Sequence, residues 1–302
     1  MRRALKQRVE RALSWVPVGR MARHRIRGKR LILAYHGIVP DGAQPAGERS
    51  LFVHQRDFAA QLDAIAGIAD IVPLARLDDA GDGRPRVSIT FDDAYRGAVN
   101  EGVRELVIRG LPATIFVAPS RLNDHVFWWD ALSEGDGELR EAVRDHALQR
   151  LRGSDERVRG WAAMIRLPCS DAMPPYAQTA TYAELRAALG FPGITVGSHS
   201  WTHSNLAALG AAEIAAEIER SRDWLYGAFG ERAIPWIAYP YGLDSTEVHR
   251  AAATAGYVGG LRIGGGWHRA KDALPLARPR LNVPAGLSVP GLRARVLGVV
   301  RA

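Results

Sequence analysis

The stretch Val87-Ser88-Ile89-Thr90-Phe91-Asp92-Asp93 constrains this 302-residue chain more than any other. Its β-branched and aromatic residues follow an Arg-Pro pair and read as a short buried strand. That strand runs straight into two adjacent carboxylates. Two like charges at a strand mouth repel each other, and each loses water. A bound cation relieves both costs, taking one carboxylate as ligand and leaving the other beside it. A solvated Asp-Asp turn or a helix N-cap accounts for the same residues. The stretch alone leaves these readings level; His199 and His203, a hundred residues further on, favour the cation.

Buried strands and amphipathic helices alternate along the rest of the chain. Leu31-Ile32-Leu33-Ala34-Tyr35-His36-Gly37 is a strand ending on His36, which by itself reads most simply as a satisfied strand-end histidine. Residues 54–69 are helical, with Phe58, Leu62, Ile65 and Ala69 on one face. Ile71-Val72-Pro73-Leu74 is a short strand, and residues 94–110 form a helix closed by Gly110. Strands follow at residues 113–117, 194–198, 235–238, 257–260 and 279–283. Between them lie helices at 181–190, opened by a Thr181/Glu184 capping box, at 210–227 on Ile214, Ile218 and Leu225, and at 247–255. Candidate functional residues gather at strand C-terminal ends: His36, Asp92, Asp93, His199 and Tyr241. The alternation repeats about seven times with no Gly-rich fingerprint after the first strand, which predicts a parallel α/β barrel with its site in the strand-end loops. Residues 131–180 are polar, helix-prone and broken by prolines, an insertion between strands. Just before it, Phe127-Trp128-Trp129-Asp130 is either plain core or an apolar wall against a sugar ring.

Charge divides the chain. The formal net charge is +8, yet the first thirty residues alone carry +10, so the remainder carries −2. Nucleic-acid binding is therefore not expected, because a nucleic-acid footprint would spread over the folded domain. Leu5, Val9, Leu13 and Val16 give residues 1–27 a helical apolar stripe beside a basic face. Two readings fit: a helix on an anionic membrane surface with Trp15 at the interface, or a helix packed on the domain. The segment is too short in apolar residues to span a bilayer and lacks a secretory cleavage pattern. This predicts a cytoplasmic protein, peripheral at the inner membrane in the first reading. The expected division is a basic segment over residues 1–29 and one domain over 30–302. The single cysteine, Cys169, excludes an internal disulfide and a cysteine-based zinc site.

Ser198-His199-Ser200-Trp201-Thr202-His203 places two imidazoles four residues apart. If the segment opens as a helical turn, both point the same way and can hold one metal. Two neutral nitrogens and one carboxylate oxygen make a three-ligand set with open positions, suited to Zn²⁺ or a similar ion acting on water. Asp92 and Asp93 offer one oxygen more than that set needs, so one is free to act as general base.

Together, Thr90-Phe91-Asp92-Asp93, His199-Ser200-Trp201-Thr202-His203 and Tyr239-Pro240-Tyr241-Gly242 resemble the polysaccharide deacetylases of the NodB-homology type, across roughly residues 30–285. The resemblance implies a distorted (β/α)7 barrel and metal-dependent hydrolysis of an N-acetyl group on a sugar. It makes Asp92 the base, Asp93, His199 and His203 the metal ligands, and the backbone N–H of Tyr241 the oxyanion donor. The metal it implies is divalent, Zn²⁺ first, with Co, Ni or Fe as alternatives. The family's late Leu-x-His is missing, and His268 does not match it. Ala34-Tyr35-His36-Gly37 instead resembles a circularly permuted subgroup that includes the biofilm poly-N-acetylglucosamine deacetylases, which makes His36 the acid. Ala238 stands where an Arg is expected, and Pro279-Arg280-Leu281-Asn282-Val283 resembles the subgroup's compensating strand, with Arg280 orienting Asp92 and Arg278 as the fallback. Trp128 and Trp129 recur in members that resemble enzymes of surface-polysaccharide clusters.

The expected substrate is an N-acetylated saccharide, free or lipid-linked. Rival readings keep the site and change its use: a deacetylase or deformylase of a lipid-linked sugar at the inner membrane face, or an O-acetyl esterase. A carbohydrate-binding pseudoenzyme is the non-enzymatic alternative.

Overall fold

The computed structural model describes residues 24–80, 82–135, 137–272 and 274–298. The basic segment expected over residues 1–27 lies outside the described residues as far as residue 23; His24–Ile26 form a single helical turn. Ten strands follow: β1 (Arg30–Tyr35), β2 (Gly37–Val39), β3 (Phe52–His54), β4 (Asp70–Ile71), β5 (Arg86–Phe91), β6 (Ala113–Val117), β7 (Ile194–Ser198), β8 (Ala233–Ala238), β9 (Gly259–Ile263) and β10 (Arg278–Asn282).

Seven of them close a parallel barrel in the order β1-β10-β9-β8-β7-β6-β5, with β5 returning to β1 along its whole length. This is the distorted (β/α)7 barrel that the alternation and the motifs predicted. The distortion has identifiable causes. β4 pairs with the first two residues of β5, whereas β6 pairs with Thr90 and Phe91 at its end. The wall therefore parts between β5 and β6 at the N-terminal end, and Leu74 and Leu77 join the cluster that fills the barrel. A second irregularity separates β7 from β8, whose register shifts between Val196 and Ser198. Pro235 lies in that part of β8 and has no N–H to offer the ladder.

Strand alternation divides the side chains between two layers. Leu31, Leu33, Tyr35, Val87, Ile89, Phe91, Ile115 and Leu281 face outward into one large core with the surrounding helices. Those helices include Gln55–Ala66, Tyr182–Ala188 and Val289–Val296. Ile32, Phe116, Trp236, Ala238 and Leu261 fill the barrel interior. Above this apolar floor, the inward positions at the C-terminal ends become polar: Thr90, Asp92, His199 and Arg280 are all buried.

The Thr181/Glu184 capping box forms as expected. Three elements differ from the sequence reading. The strand expected over residues 71–74 stops at Ile71, because Pro73 cannot extend the ladder and Leu74–Arg76 turns away. The helix expected over 94–110 starts at Arg96 and passes through a π-helical turn, Ala98–Gly102, before Val103–Ile108. Gly97 there leaves no room for a side chain, since a Cβ would stand 2.0 Å from the Ile38 carbonyl oxygen. The strand expected at Tyr257 begins at Gly259, because the Tyr257 N–H still closes the preceding helix onto the Ala252 carbonyl. The insertion over residues 131–180 carries two helices, Glu141–Gln149 and Asp155–Met164.

Gly259 abuts the interior, and a Cβ there would meet the Trp236 ring at 2.3 Å. Gly259→Ala is therefore expected to lower stability by about 1–3 kcal/mol through overpacking. Urea denaturation checks this as a lower midpoint at unchanged slope.

Candidate active site

Asp92 and Asp93 leave the end of β5 in opposite roles. The Asp92 carboxylate turns into the barrel and meets the Arg280 guanidinium in a two-point pair, Nη1 to Oδ1 and Nη2 to Oδ2, both 2.7 Å. Arg280 is fully buried, and its Nη1 also donates to Thr90 Oγ1 at 3.2 Å. Burial by itself would raise the Asp92 pKa. Arg280 first, then His199 and His36, overturn that and hold the carboxyl well below the ordinary range. Arg278, the fallback partner, pairs instead with Asp78 at 2.5 Å and lies over the Trp236 ring. The two arginines are two residues apart on one strand, and the strand's different depths in the barrel separate their partners.

Asp93 takes a left-handed backbone, φ 68°, and faces the histidines. Its Oδ1 lies 3.0 Å from His203 Nε2 and 3.5 Å from His199 Nε2. One potential ligand atom from each of Asp93, His199 and His203 lies within 4.8 Å of the others. The Nδ1–H of His199 donates to the Ala238 carbonyl at 2.7 Å, leaving the Nε2 lone pair for the site. Burial lowers the pKa of His199, pushes His203 down to about 3, and raises that of Asp93. Asp93 Oδ1 is buried with no hydrogen-bond partner. Neutral imidazoles turned toward an unpartnered buried carboxylate oxygen fit a divalent cation, which supplies the missing positive charge.

The two histidines do not converge through a helical turn. Residues 199–203 form a loop in which Ser200 and His203 both have φ 61°. Side-chain oxygens hold it in shape. One Glu217 carboxylate oxygen accepts the Trp201 and Thr202 N–H groups at 2.9 and 2.8 Å, and the other accepts the Thr202 hydroxyl at 2.7 Å. The Ser198 hydroxyl accepts from Ser200 N–H at 3.2 Å, and Ser200 Oγ accepts from His203 N–H at 3.1 Å. Left-handed, non-glycine backbone is uncommon and needs such support.

His36, just past β1, has its Nε2 4.0 Å from Asp92 Oδ2. Burial lowers its pKa, and the carboxylates of Asp92 and Asp93 act against that. His268 stands at the other end of the barrel, where its backbone pairs with Arg30 at the start of β1. Tyr241 also has a left-handed backbone, φ 61°. Its hydroxyl donates to the Gly153 carbonyl at 2.8 Å and accepts from Trp128 Nε1 at 3.0 Å. The side chain is thereby tied to the insertion.

Trp128 and Trp129 are buried in the core and also line the cleft. Trp129, Phe127 and Tyr241 surround His203, with ring centres 4.9, 5.3 and 4.7 Å away. Behind them, the Trp129 indole N–H donates to Tyr95 Oη at 2.9 Å, and Tyr95 donates to Asp130 at 2.5 Å. Asp130 also accepts the Glu48 N–H at 2.9 Å. The cleft encloses about 770 Å³, part of it open to solvent. Sequence alone did not single out Glu48, Ser50 and Leu51 from the loop before β3, Leu139 and Arg144 from the insertion, or Ile263 and Asn282 at strand ends. Asn282 had a readable signal, because it stands two residues after Arg280 and shares its face of the strand. The others reach the cleft only through long-range packing.

The comparisons with known proteins agree with this architecture. The polysaccharide deacetylase family profile matches residues 79–260. Among solved structures, the deacetylase PplD of Streptococcus pyogenes, in complex with acetate, is 18% identical with a TM-score of 0.62, covering 89% of this chain and 99% of that one. IcaB from Ammonifex degensii is 17% identical with a TM-score of 0.61, covering 89% and 97%. The BpsB deacetylase domain from Bordetella bronchiseptica is 15% identical with a TM-score of 0.54, covering 85% and 97%. At these identities the likeness is one of fold. No curated protein sequence matches the chain.

Two outcomes follow from the supports around the site. Glu217→Ala frees the loop between the histidines and is expected to weaken Zn²⁺ binding about 10- to 100-fold, read by competition with a chromophoric chelator. Burial pushes the Asp130 pKa up to about 8 from an ordinary 3.8. Between these values the folded state holds a proton that the unfolded state lacks, so this group's stabilisation is full below the lower value and is lost as pH rises through the higher one. Asp130→Asn removes that dependence, and urea denaturation at pH 5 and pH 8.5 is expected to show the variant gaining on the wild type at the higher pH.

Proposed function

The chain belongs to the polysaccharide deacetylase family, and we propose that it hydrolyses the N-acetyl group of a saccharide at a divalent metal held by Asp93, His199 and His203. Membership makes it a carbohydrate deacetylase, a hydrolase of non-peptide carbon–nitrogen bonds, whose substrate is an acetylated saccharide. The observation that carries the finer reading is the division of labour between two adjacent carboxylates. Asp92 is committed to Arg280, whereas Asp93 faces two imidazoles with an oxygen unpartnered.

A divalent ion bound there supplies Lewis-acid polarisation of the acyl carbonyl and of water. Asp92 removes the proton of the attacking water as general base. Arg280 keeps that carboxylate ionised and, by its two-point grip, stops it from rotating out of position. The backbone N–H of Tyr241 donates to the carbonyl oxygen as negative charge develops on it. Tethering the phenol to Gly153 and Trp128 supports this by fixing the residue's backbone. When the carbon–nitrogen bond breaks, its electron pair goes to nitrogen, and His36 delivers the proton that completes the amine. The carboxylates of Asp92 and Asp93 favour the protonated imidazole that this task requires, against the burial that lowers its pKa. Trp128 and Trp129 offer an apolar face to the sugar ring.

The +10 charge of the first thirty residues supports a saccharide held at an anionic membrane surface, lipid-linked rather than free. Among the described residues, no helix is long and apolar enough to cross a membrane.

Acetate release from N-acetylated sugars, measured on metal-stripped protein before and after reloading with Zn²⁺ or Co²⁺, tests the reading. Release is expected only with metal, and Asp92→Asn is expected to lower it by about 10²- to 10⁴-fold while metal stoichiometry stays unchanged. Metal-loaded wild type that releases no acetate from polymeric, oligomeric or lipid-linked sugars would overturn it.

A further inference from the structure

We infer that Asn282 is a substrate-binding residue whose carboxamide oxygen accepts the N–H of the acetamido group, so that the cleft selects amides over esters. The inference rests on the deacetylase reading above and adds the group that reads the nitrogen.

Among the residues lining the cleft, three buried side-chain polar atoms lack a hydrogen-bond partner: Asp93 Oδ1, His203 Nδ1 and Asn282 Oδ1. Asp93 is accounted for by the cation its surroundings fit. His203 already turns its other ring nitrogen to Asp93, 3.0 Å away. Asn282 has neither explanation. A buried carbonyl oxygen left unpaired costs about 1–3 kcal/mol, and native structures rarely tolerate one without reason. A donor that arrives with the substrate supplies the reason.

Position identifies that donor. Asn282 ends β10 on the inward face, two residues beyond Arg280. Its register partner on β1 is Ala34, two residues before His36. The Val283 N–H donates to the Ala34 carbonyl at 2.9 Å and locks the two strand ends together. Asn282 therefore stands on the His36 side of the cleft, where the leaving nitrogen must lie to receive a proton. The carboxylates lining the cleft have other tasks, Asp92 as base beside Arg280 and Asp93 toward the cation. The Asp92 oxygens hold Arg280, and the Glu48 oxygens accept the Ser50 and Leu139 N–H groups at 3.2 and 2.7 Å. In a trans acetamide the N–H points away from the carbonyl, so an acceptor beside the nitrogen is compatible with a carbonyl directed at Tyr241. An ester offers an oxygen with no hydrogen at the same place. Asn282 Oδ1 would then stay unpaired and face a second lone pair, which penalises the ester.

The experiment compares kcat/KM for an N-acetylated chito-oligosaccharide with that for an O-acetylated xylo-oligosaccharide, in wild type, Asn282→Ala and Asn282→Leu. Loss of folded or metal-loaded protein lowers both values equally, so their ratio reports selectivity alone. The N-to-O ratio is expected to fall roughly tenfold or more in both variants, through loss of the N-acetyl activity. An unchanged ratio beside an active wild type would overturn the assignment of Asn282 and leave the deacetylase reading standing. A wild type that cleaves the ester at least as well as the amide would overturn the selectivity. One that cleaves neither would overturn the reading on which the assignment rests.

Discussion

The buried pair between Arg280 and Asp92 is the interaction on which the site depends. It joins β10 to the end of β5, strands that are not neighbours in the barrel, because β1 lies between them. A charge pair so buried adds little net stability over an apolar replacement, but losing one partner leaves the other charge uncompensated, at about 3–5 kcal/mol. Its worth is chemical. It fixes one carboxylate in the ionised state, in one orientation, beside a second carboxylate whose surroundings push its pKa the other way. Two adjacent aspartates thus become different groups through their neighbours alone.

Around that pair the backbone takes conformations that non-glycine residues avoid. Asp93, Ala94, Ser200, His203 and Tyr241 all have φ between 51° and 68°. Each brings a side chain or a backbone amide to the cleft, or adjoins a residue that does. The strain is offset by hydrogen bonds from elsewhere in the fold. Glu217, on the helix Ala211–Phe229, clamps the histidine loop, and the Gly153 carbonyl holds Tyr241. The site is rigid because separate elements over-determine its loops.

The insertion belongs to this support as much as to the cleft wall. Asp155 accepts the Trp128 N–H at 3.0 Å, and the Tyr241 phenol bridges Trp128 to Gly153. The loop before β3 joins through Glu48, which accepts Leu139 N–H and donates its own N–H to Asp130. The aromatic wall is therefore held from behind by a polar network in which Asp130 is fully buried. Such a network is costly to leave half satisfied, which gives it a single arrangement.

Local chemistry determined a good deal of this protein. Short buried runs of β-branched and aromatic residues gave β5, β6 and β7 nearly to the residue, the Thr181/Glu184 spacing gave a capping box, and three short motifs gave the family. These are legible because strand alternation, caps and strand-end polar residues follow from interactions a few residues long. Where local rules were extended further, the fold overruled them: Pro73 cut a strand short, and the two histidines converged through left-handed loop residues and not a helical turn. Tertiary structure places Arg280, and not Arg278, against Asp92 and brings His36 within 4.0 Å of it, with His268 at the opposite end of the barrel, and it alone decided that Glu48 and Glu217 join the site. The physical reason is barrel closure. The return of β5 to β1 and the parallel register of β10 bring residues nearly two hundred positions apart into contact, and no local pattern in the chain encodes that distance.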